Sequence, residues 1–156
     1  MHRRIARIIS RILTGAALVF LAGQTPAMAD AVEVRSIPVP LNAENPEQKV
    51  IGKLTYRGGV ELLSRSDRFG GFSALGLSID GSRLVSLTDE GNRLDAHLVY
   101  GPDGNLSGIT NTEIFTLTGP GGIPLIDKSM ADAESMAPGV DGEIIVAFER
   151  IHRLWA

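Results

Sequence analysis

The chain has 156 residues, 15 basic and 18 acidic side chains, and no cysteine. The missing cysteine excludes disulfides, thiolate metal sites and a cysteine nucleophile. The acidic balance argues against nucleic acid and anionic lipid as partners and suits cations.

The first eleven residues carry Arg3, Arg4, Arg7 and Arg11 and no acid. Residues 12–23 are a short apolar run, and Pro26 leads into Ala27-Met28-Ala29. A basic start, a short apolar middle and a small-residue exit predict a signal peptide over residues 1–29, cleaved after Ala29. The run is shorter than the roughly 20 apolar residues a membrane span needs. His2-Arg3-Arg4-Ile5-Ala6 fits a twin-arginine signal poorly, so the general export route is expected. The mature chain is then periplasmic or secreted, has no membrane contact after cleavage, and at 127 residues is the size of one domain. Without the four leader arginines it keeps 11 basic and 18 acidic side chains, a net of −7.

Residues 30–49 contain three prolines and read as a linker or strap, with Val32, Val34 and Ile37 available for an edge strand. Short β-type runs follow, at 51–56, 74–79, 83–88, 94–100 and 106–110, the last continuing over 113–117. Asp80-Gly81 and Pro102-Asp103-Gly104 separate them as hairpin turns. Gly119-Pro120-Gly121-Gly122 is a loop, residues 132–137 allow one helical turn, and residues 144–148 and 150–155 are the last two runs. No stretch outside the leader sustains helical periodicity, so the expected class is all-β.

The chain also echoes itself. An offset of 61, as from Asp80 to Asp141, aligns Leu75 with Met136 and Ile79 with Val140. After the turn the offset is 60, aligning Leu84 with Ile144, Val85 with Ile145, Leu87 with Ala147 and Asp89 with Glu149. Each copy reads as apolar strand, Asp-Gly turn, apolar strand, carboxylate. Repeated hairpins of this length suggest antiparallel β-propeller blades. A generic hairpin recurring by chance is the alternative.

Five strings stand in order along residues 50–156: LTYRGGVEL at 54–62, RFGGFSAL at 68–75, LTDEG at 87–91, DAESM at 132–136 and FERIHR at 148–153. Their order and spacing resemble the amino-terminal part of the phytase-like domain family, labelled "esterase-like activity of phytase". Two departures are Ser135, where the family usually has glycine, and Glu90, where a basic residue is common. The resemblance implies an exported bacterial protein whose closed ring of blades takes a further two hundred residues or so. Residues 50–156 then read as a partial phytase-like β-propeller domain of about one and a half blades, with the remaining blades missing from this chain and an open edge exposed.

In such a ring the inner strands and their connections present carboxylates to hard cations, and calcium takes six to eight oxygen ligands. On this reading Glu61, Asp89, Asp132 and Glu134 are candidate metal ligands, with Ca2+ the suspected ion. Glu149, Arg150 and His152 are the catalytic candidates: an acid, an anion-binding group and a proton carrier titrating near working pH. Arg57 is a candidate substrate-binding group. Each has an ordinary alternative: Asp89 as a turn cap, Asp132 and Glu134 as a solvated loop, Glu149 as the exposed side of a strand, Arg150 as its ion pair, His152 as a surface histidine. Asp80, Asp103 and Asp141 are read as turn residues. Ser73 lacks a G-x-S-x-G elbow, and Gly58-Gly59 and Gly70-Gly71, with no helix after them, are turns rather than phosphate loops. The expected function is an ester hydrolase for a small phosphate or carboxylic ester, dependent on a divalent cation and active only if the domain is complete. The alternative is a non-catalytic propeller that binds ligands or acts as a scaffold.

Overall fold

Glycine turns cut the chain into short antiparallel strands. The computed structural model describes residues 29–140 and 142–156. The basic and apolar parts of the expected leader, and the turn residue Asp141, lie outside the described residues. The strands are β1 (Asp30–Ala31), β2 (Val34–Pro38), β3 (Val50–Ile51), β4 (Leu54–Thr55), β5 (Val60–Ser64), β6 (Phe72–Leu77), β7 (Arg83–Thr88), β8 (Asn92–Tyr100) and β9 (Leu106–Thr116). A single 3-10 turn (Pro120–Gly122) and one helical turn, α1 (Lys128–Ala131), lead to β10 (Ala133–Pro138), β11 (Ile144–Phe148) and β12 (Arg153–Trp155). The class is all-β. No helix among the described residues is long and apolar enough to cross a membrane.

The strands pair as a five-stranded sheet in the order β1-β9-β8-β7-β6, a three-stranded sheet β10-β11-β12, and the pairs β2-β5 and β3-β4. The four strands β6 to β9 form an up-and-down meander, as one propeller blade would. The sheets do not close into a barrel among the described residues, and the arrangement is compatible with part of a propeller.

Strand β7 lies inside the five-stranded sheet, between β8 and β6, and is covered on both faces. Alternation sends Leu84 to one side, where it meets Ala96 and Ile109 under Val34 and Leu62 of the β2-β5 pair. It sends Leu87 to the other, against Leu125, Ala131, Ala133, Val146 and Phe148. Burying each such leucine contributes about 1.5–3 kcal/mol. The second hairpin therefore packs on one face of the five-stranded sheet and the β2-β5 pair on the opposite face.

The echo in the sequence is a structural repeat. In the first hairpin Phe72 pairs Thr88, Ala74 pairs Leu87, Leu75 pairs Ser86, Gly76 pairs Val85 and Leu77 pairs Leu84. In the second, Ala133 pairs Phe148, Ser135 pairs Ala147, Met136 pairs Val146, Ala137 pairs Ile145 and Pro138 pairs Ile144. Every pair of the first maps onto a pair of the second at the offsets read from the sequence. Both registers slip at the same place, leaving Ser73 and Glu134 as the unpaired residues of equivalent bulges. Both hairpins also close with the same bond: Asp89 N donates to Gly71 O at 2.9 Å, and Glu149 N donates to Asp132 O at 2.8 Å.

Several expectations are corrected. Residues 51–56 are not one strand, because Gly52 (φ 57°) folds the run back into the β3-β4 hairpin. The helical turn comes earlier than residues 132–137. Asp127 caps it by accepting from Ser129 N at 2.8 Å, and Asp132 (ψ 78°) leaves helical geometry, freeing the next residues to pair with β11. As expected, the run 106–110 continues over 113–117, as β9, which passes through Asn111, a left-handed residue (φ 49°) where the β8-β9 register slips. The last run begins at Arg153 because residues 149–152 are a turn. Strand β5 was not expected; the edge strand read from Val34 and Ile37 is β2, and Asp30–Ala31 adds β1.

Asp80 and Asp103 behave as turn residues. Asp80 accepts from Ser78 Oγ at 2.6 Å and from Ser82 N and Oγ at 3.1 and 2.8 Å. These bonds, the Ser78 hydroxyl first, hold its carboxyl at about 2. Asp103 accepts from Asn105 N at 3.0 Å. Gly58 (φ 97°) lets the chain pass β9 closely, since a Cβ there would stand 2.3 Å from Leu106 O.

Candidate functional site

The site forms at one end of the second hairpin. Asp132 is the last residue before β10, Glu134 is the bulge residue, and Glu149 opens the turn after β11. One carboxylate oxygen from each lies within 4.8 Å of the others. The bulge re-aims Glu134, and the Glu149 N to Asp132 O bond ties the two ends of the hairpin together. At the equivalent positions the first hairpin has Gly71, Ser73 and Asp89. It therefore keeps one carboxylate where the second hairpin has three. Gly71 holds a left-handed backbone (φ 60°), which a side chain would strain, and a Cβ there would also displace the Asp89 carboxylate.

Two cations enter this cluster. Lys128 of α1 places Nζ 2.9 Å from Asp132 Oδ1 and 3.0 Å from Asp89 Oδ2, donates to Asp89 O at 2.6 Å, and lies 3.6 Å from Glu90 Oε1. Arg150 donates from Nε to Asp132 Oδ2 at 2.6 Å. No other hydrogen bond of its guanidinium falls among the described residues, and its side chain is 56% exposed against 6% for Asp132. Arg150 holds a left-handed backbone (φ 55°), which swings its side chain back toward Asp132.

The charges follow this geometry. The Lys128 hydrogen bond holds the Asp132 carboxyl below the usual carboxylate range; burial opposes this and Arg150 adds to it. Burial alone pulls the Lys128 ammonium down, but its bonds to Asp132 and Asp89 outweigh that and hold it above ordinary lysine. Glu134 moves the other way. Lost hydration at its carboxyl raises it above the ordinary range, and Glu149, Asp132 and Asp89 push it further, although the residue as a whole stays exposed. Five carboxylates, Asp89, Glu90, Asp132, Glu134 and Glu149, thus face two resident cations, which leaves a formal charge of −3.

A family model described as "Phytase-like: Esterase-like activity of phytase" matches residues 67–156, which include both hairpins and the whole cluster. The chain belongs to the phytase-like family. This is a hydrolase-like family, and the match begins after β5. No curated protein and no solved structure gives a match.

Of the residues singled out in the phytase-like sequence, Asp132, Glu134 and Glu149 come together. Arg150 joins them directly, and Asp89 joins through Lys128. His152 is exposed in the same four-residue turn as Glu149 and Arg150. Glu61 is exposed on β5, on the opposite face of the five-stranded sheet from the cluster. Arg57 lies away from the cluster, donating from Nη2 to Gly104 O (3.1 Å) and Asp103 O (3.5 Å) in the β8-β9 turn. Ser73 donates to the carbonyls of Ala133 and Leu87 (the latter at 3.4 Å), so its hydroxyl links the two hairpins.

Sequence reasoning missed Lys128 and Arg153. Lys128 lies four residues before Asp132, behind an aspartate that can cap a helix, and that spacing was the available signal. Arg153 packs over both Phe148 (4.0 Å) and Trp155 (4.2 Å), and donates to Met130 O and to Ile151 O at 2.8 Å. It fixes the turn that carries Glu149, Arg150 and His152 between β11, β12 and α1.

Proposed function

We propose that this chain is an exported phytase-like hydrolase domain that binds a divalent cation, calcium foremost, at Asp132, Glu134 and Glu149, and acts there on phosphate or carboxylic esters. The supporting observation is the three carboxylate oxygens within 4.8 Å of one another beside a guanidinium with donors to spare. Calcium–oxygen bonds of about 2.3–2.6 Å put opposite ligands about 4.6–5.2 Å apart, so the trio fits within one coordination sphere. The residual formal charge of −3 and the carboxylate neighbours that raise Glu134 both favour a bound dication. When bound, the cation supplies Lewis-acid polarisation of the ester oxygen.

The chain's own residues do the rest. Arg150, anchored through Nε, offers its terminal nitrogens as a planar fork to an oxyanion. His152, exposed in the same turn, carries the proton to or from the ester. Asp89 orients Lys128 rather than contacting substrate. Purified chain assayed on aryl phosphates, inositol phosphates and aryl acetates should hydrolyse at least one class with calcium and lose that activity in chelator. The variant Glu134→Gln/Glu149→Gln should be inactive while keeping its fold. Activity unaffected by chelator and by that variant refutes the assignment. Export is tested by the mass of protein from the periplasm or medium, which should begin at Asp30.

A further inference from the structure

We infer that Lys128 is a built-in counter-cation whose ammonium fills the place between Asp89 and Asp132 that a second metal ion would otherwise take. The inference rests on the proposed cation at Asp132, Glu134 and Glu149. An ammonium has three N–H donors. Here three oxygens, Asp89 O, Asp89 Oδ2 and Asp132 Oδ1, lie at 2.6, 3.0 and 2.9 Å, with Glu90 Oε1 at 3.6 Å. Nothing is left to donate to a substrate. Lys128 therefore differs from Arg150, which gives one nitrogen to Asp132 and keeps the others.

The oxygens around Lys128 come from two separate turns. Asp89 and Glu90 follow β7 of the first hairpin, and Asp132 precedes β10 of the second. A cage of carboxylate and carbonyl oxygens drawn from separated segments is what a hard cation collects. Here the protein supplies the charge on a tether instead. The tether is short and fixed, because α1 is capped by Asp127 and packed through buried Ala131. Asp132 is then shared: Oδ1 faces the lysine, Oδ2 accepts from Arg150, and a carboxylate oxygen also lies within the neighbouring trio. The chain accordingly takes one dication where a lysine-free version of the same turns would take two.

The test is calcium titration calorimetry on the full processed chain and on Lys128→Met and Lys128→Arg, with thermal melts in parallel. The inference expects one calcium for wild type and Lys128→Arg, and two for Lys128→Met. It also expects a larger calcium-induced rise in melting temperature for Lys128→Met than for wild type. If wild type binds none but Lys128→Met binds one, the lysine inference stands and the carboxylate-trio reading falls. If Lys128→Met binds the same number as wild type, the lysine is only a structural tie and the inference is overturned. Should Lys128→Met need calcium to fold, refolding at millimolar calcium supports the inference, and failure to fold at any calcium concentration overturns it.

Discussion

Ser73 and Glu134 occupy the same bulge in two hairpins that share one register. At that position the first hairpin spends a hydroxyl on the backbone of the second, through Ala133 O. The second hairpin places a carboxylate there instead, beside Asp132 and Glu149. One structural unit, used twice, thus serves once as a brace and once to gather three carboxylates.

Ser73→Ala should lower stability by about 0.5–1.5 kcal/mol, the usual net worth of one hydrogen bond, and leave ester hydrolysis intact. Denaturant unfolding and a rate assay on the same preparation check this. A folded Ser73→Ala protein with no activity would mean that the serine is a nucleophile after all.

The pH dependence of stability has two limbs of opposite sign. Glu134 is raised in the folded state, so its ionisation there is opposed by its neighbours and stability falls as pH rises through its folded value. Asp132 is depressed, so its contribution is present above the ordinary carboxylate range and is lost as pH falls through its folded value. Melting temperatures in chelator, from about pH 3 to about pH 8, should show both limbs. Glu134→Gln should remove the high-pH decline and keep the acid loss.

Arg150 tests the substrate side. Lysine keeps the charge but loses the fork and the fixed Nε anchor. Arg150→Lys should raise KM for an anionic ester more than it lowers kcat. An equal fall in kcat and kcat/KM with KM unchanged would place the arginine in the transition state only.

Arg153→Met should cost about 1–3 kcal/mol, from two cation–π contacts and the bonds to the Met130 and Ile151 carbonyls. It should also weaken calcium binding, because the turn bearing Glu149 loses its clamp. Chemical denaturation and calcium titration of the variant measure the two effects separately.

Much of this was legible in the sequence, and for physical reasons. Asp-Gly turns and apolar runs dictate hairpins locally, so β7, β8 and β11 fall close to where patterning puts them, and the offsets of the echo are the offsets of the strand register. The strand 133–138 shows the limit. Its residues AESMAP have weak β propensity, and it extends only because β11 and the Leu87 core receive it. The site was legible in part. Glu149 was marked by its echo of Asp89, and Asp132 and Glu134 by the string DAESM, but the bulge that gathers the three is invisible without pairing. Lys128 and Arg153 went unmarked because their partners lie on other segments of the chain. Glu61 and Arg57 show the converse: acid and base types alone do not say which face of a sheet they occupy.

The most direct test of the central claim is calcium titration of the full processed chain against Glu134→Gln/Glu149→Gln. A bound calcium in the wild type that disappears in the variant, with the fold unchanged by circular dichroism, is the expected result. Calcium binding that survives both substitutions, or is absent from the wild type, would contradict a cation held by Asp132, Glu134 and Glu149.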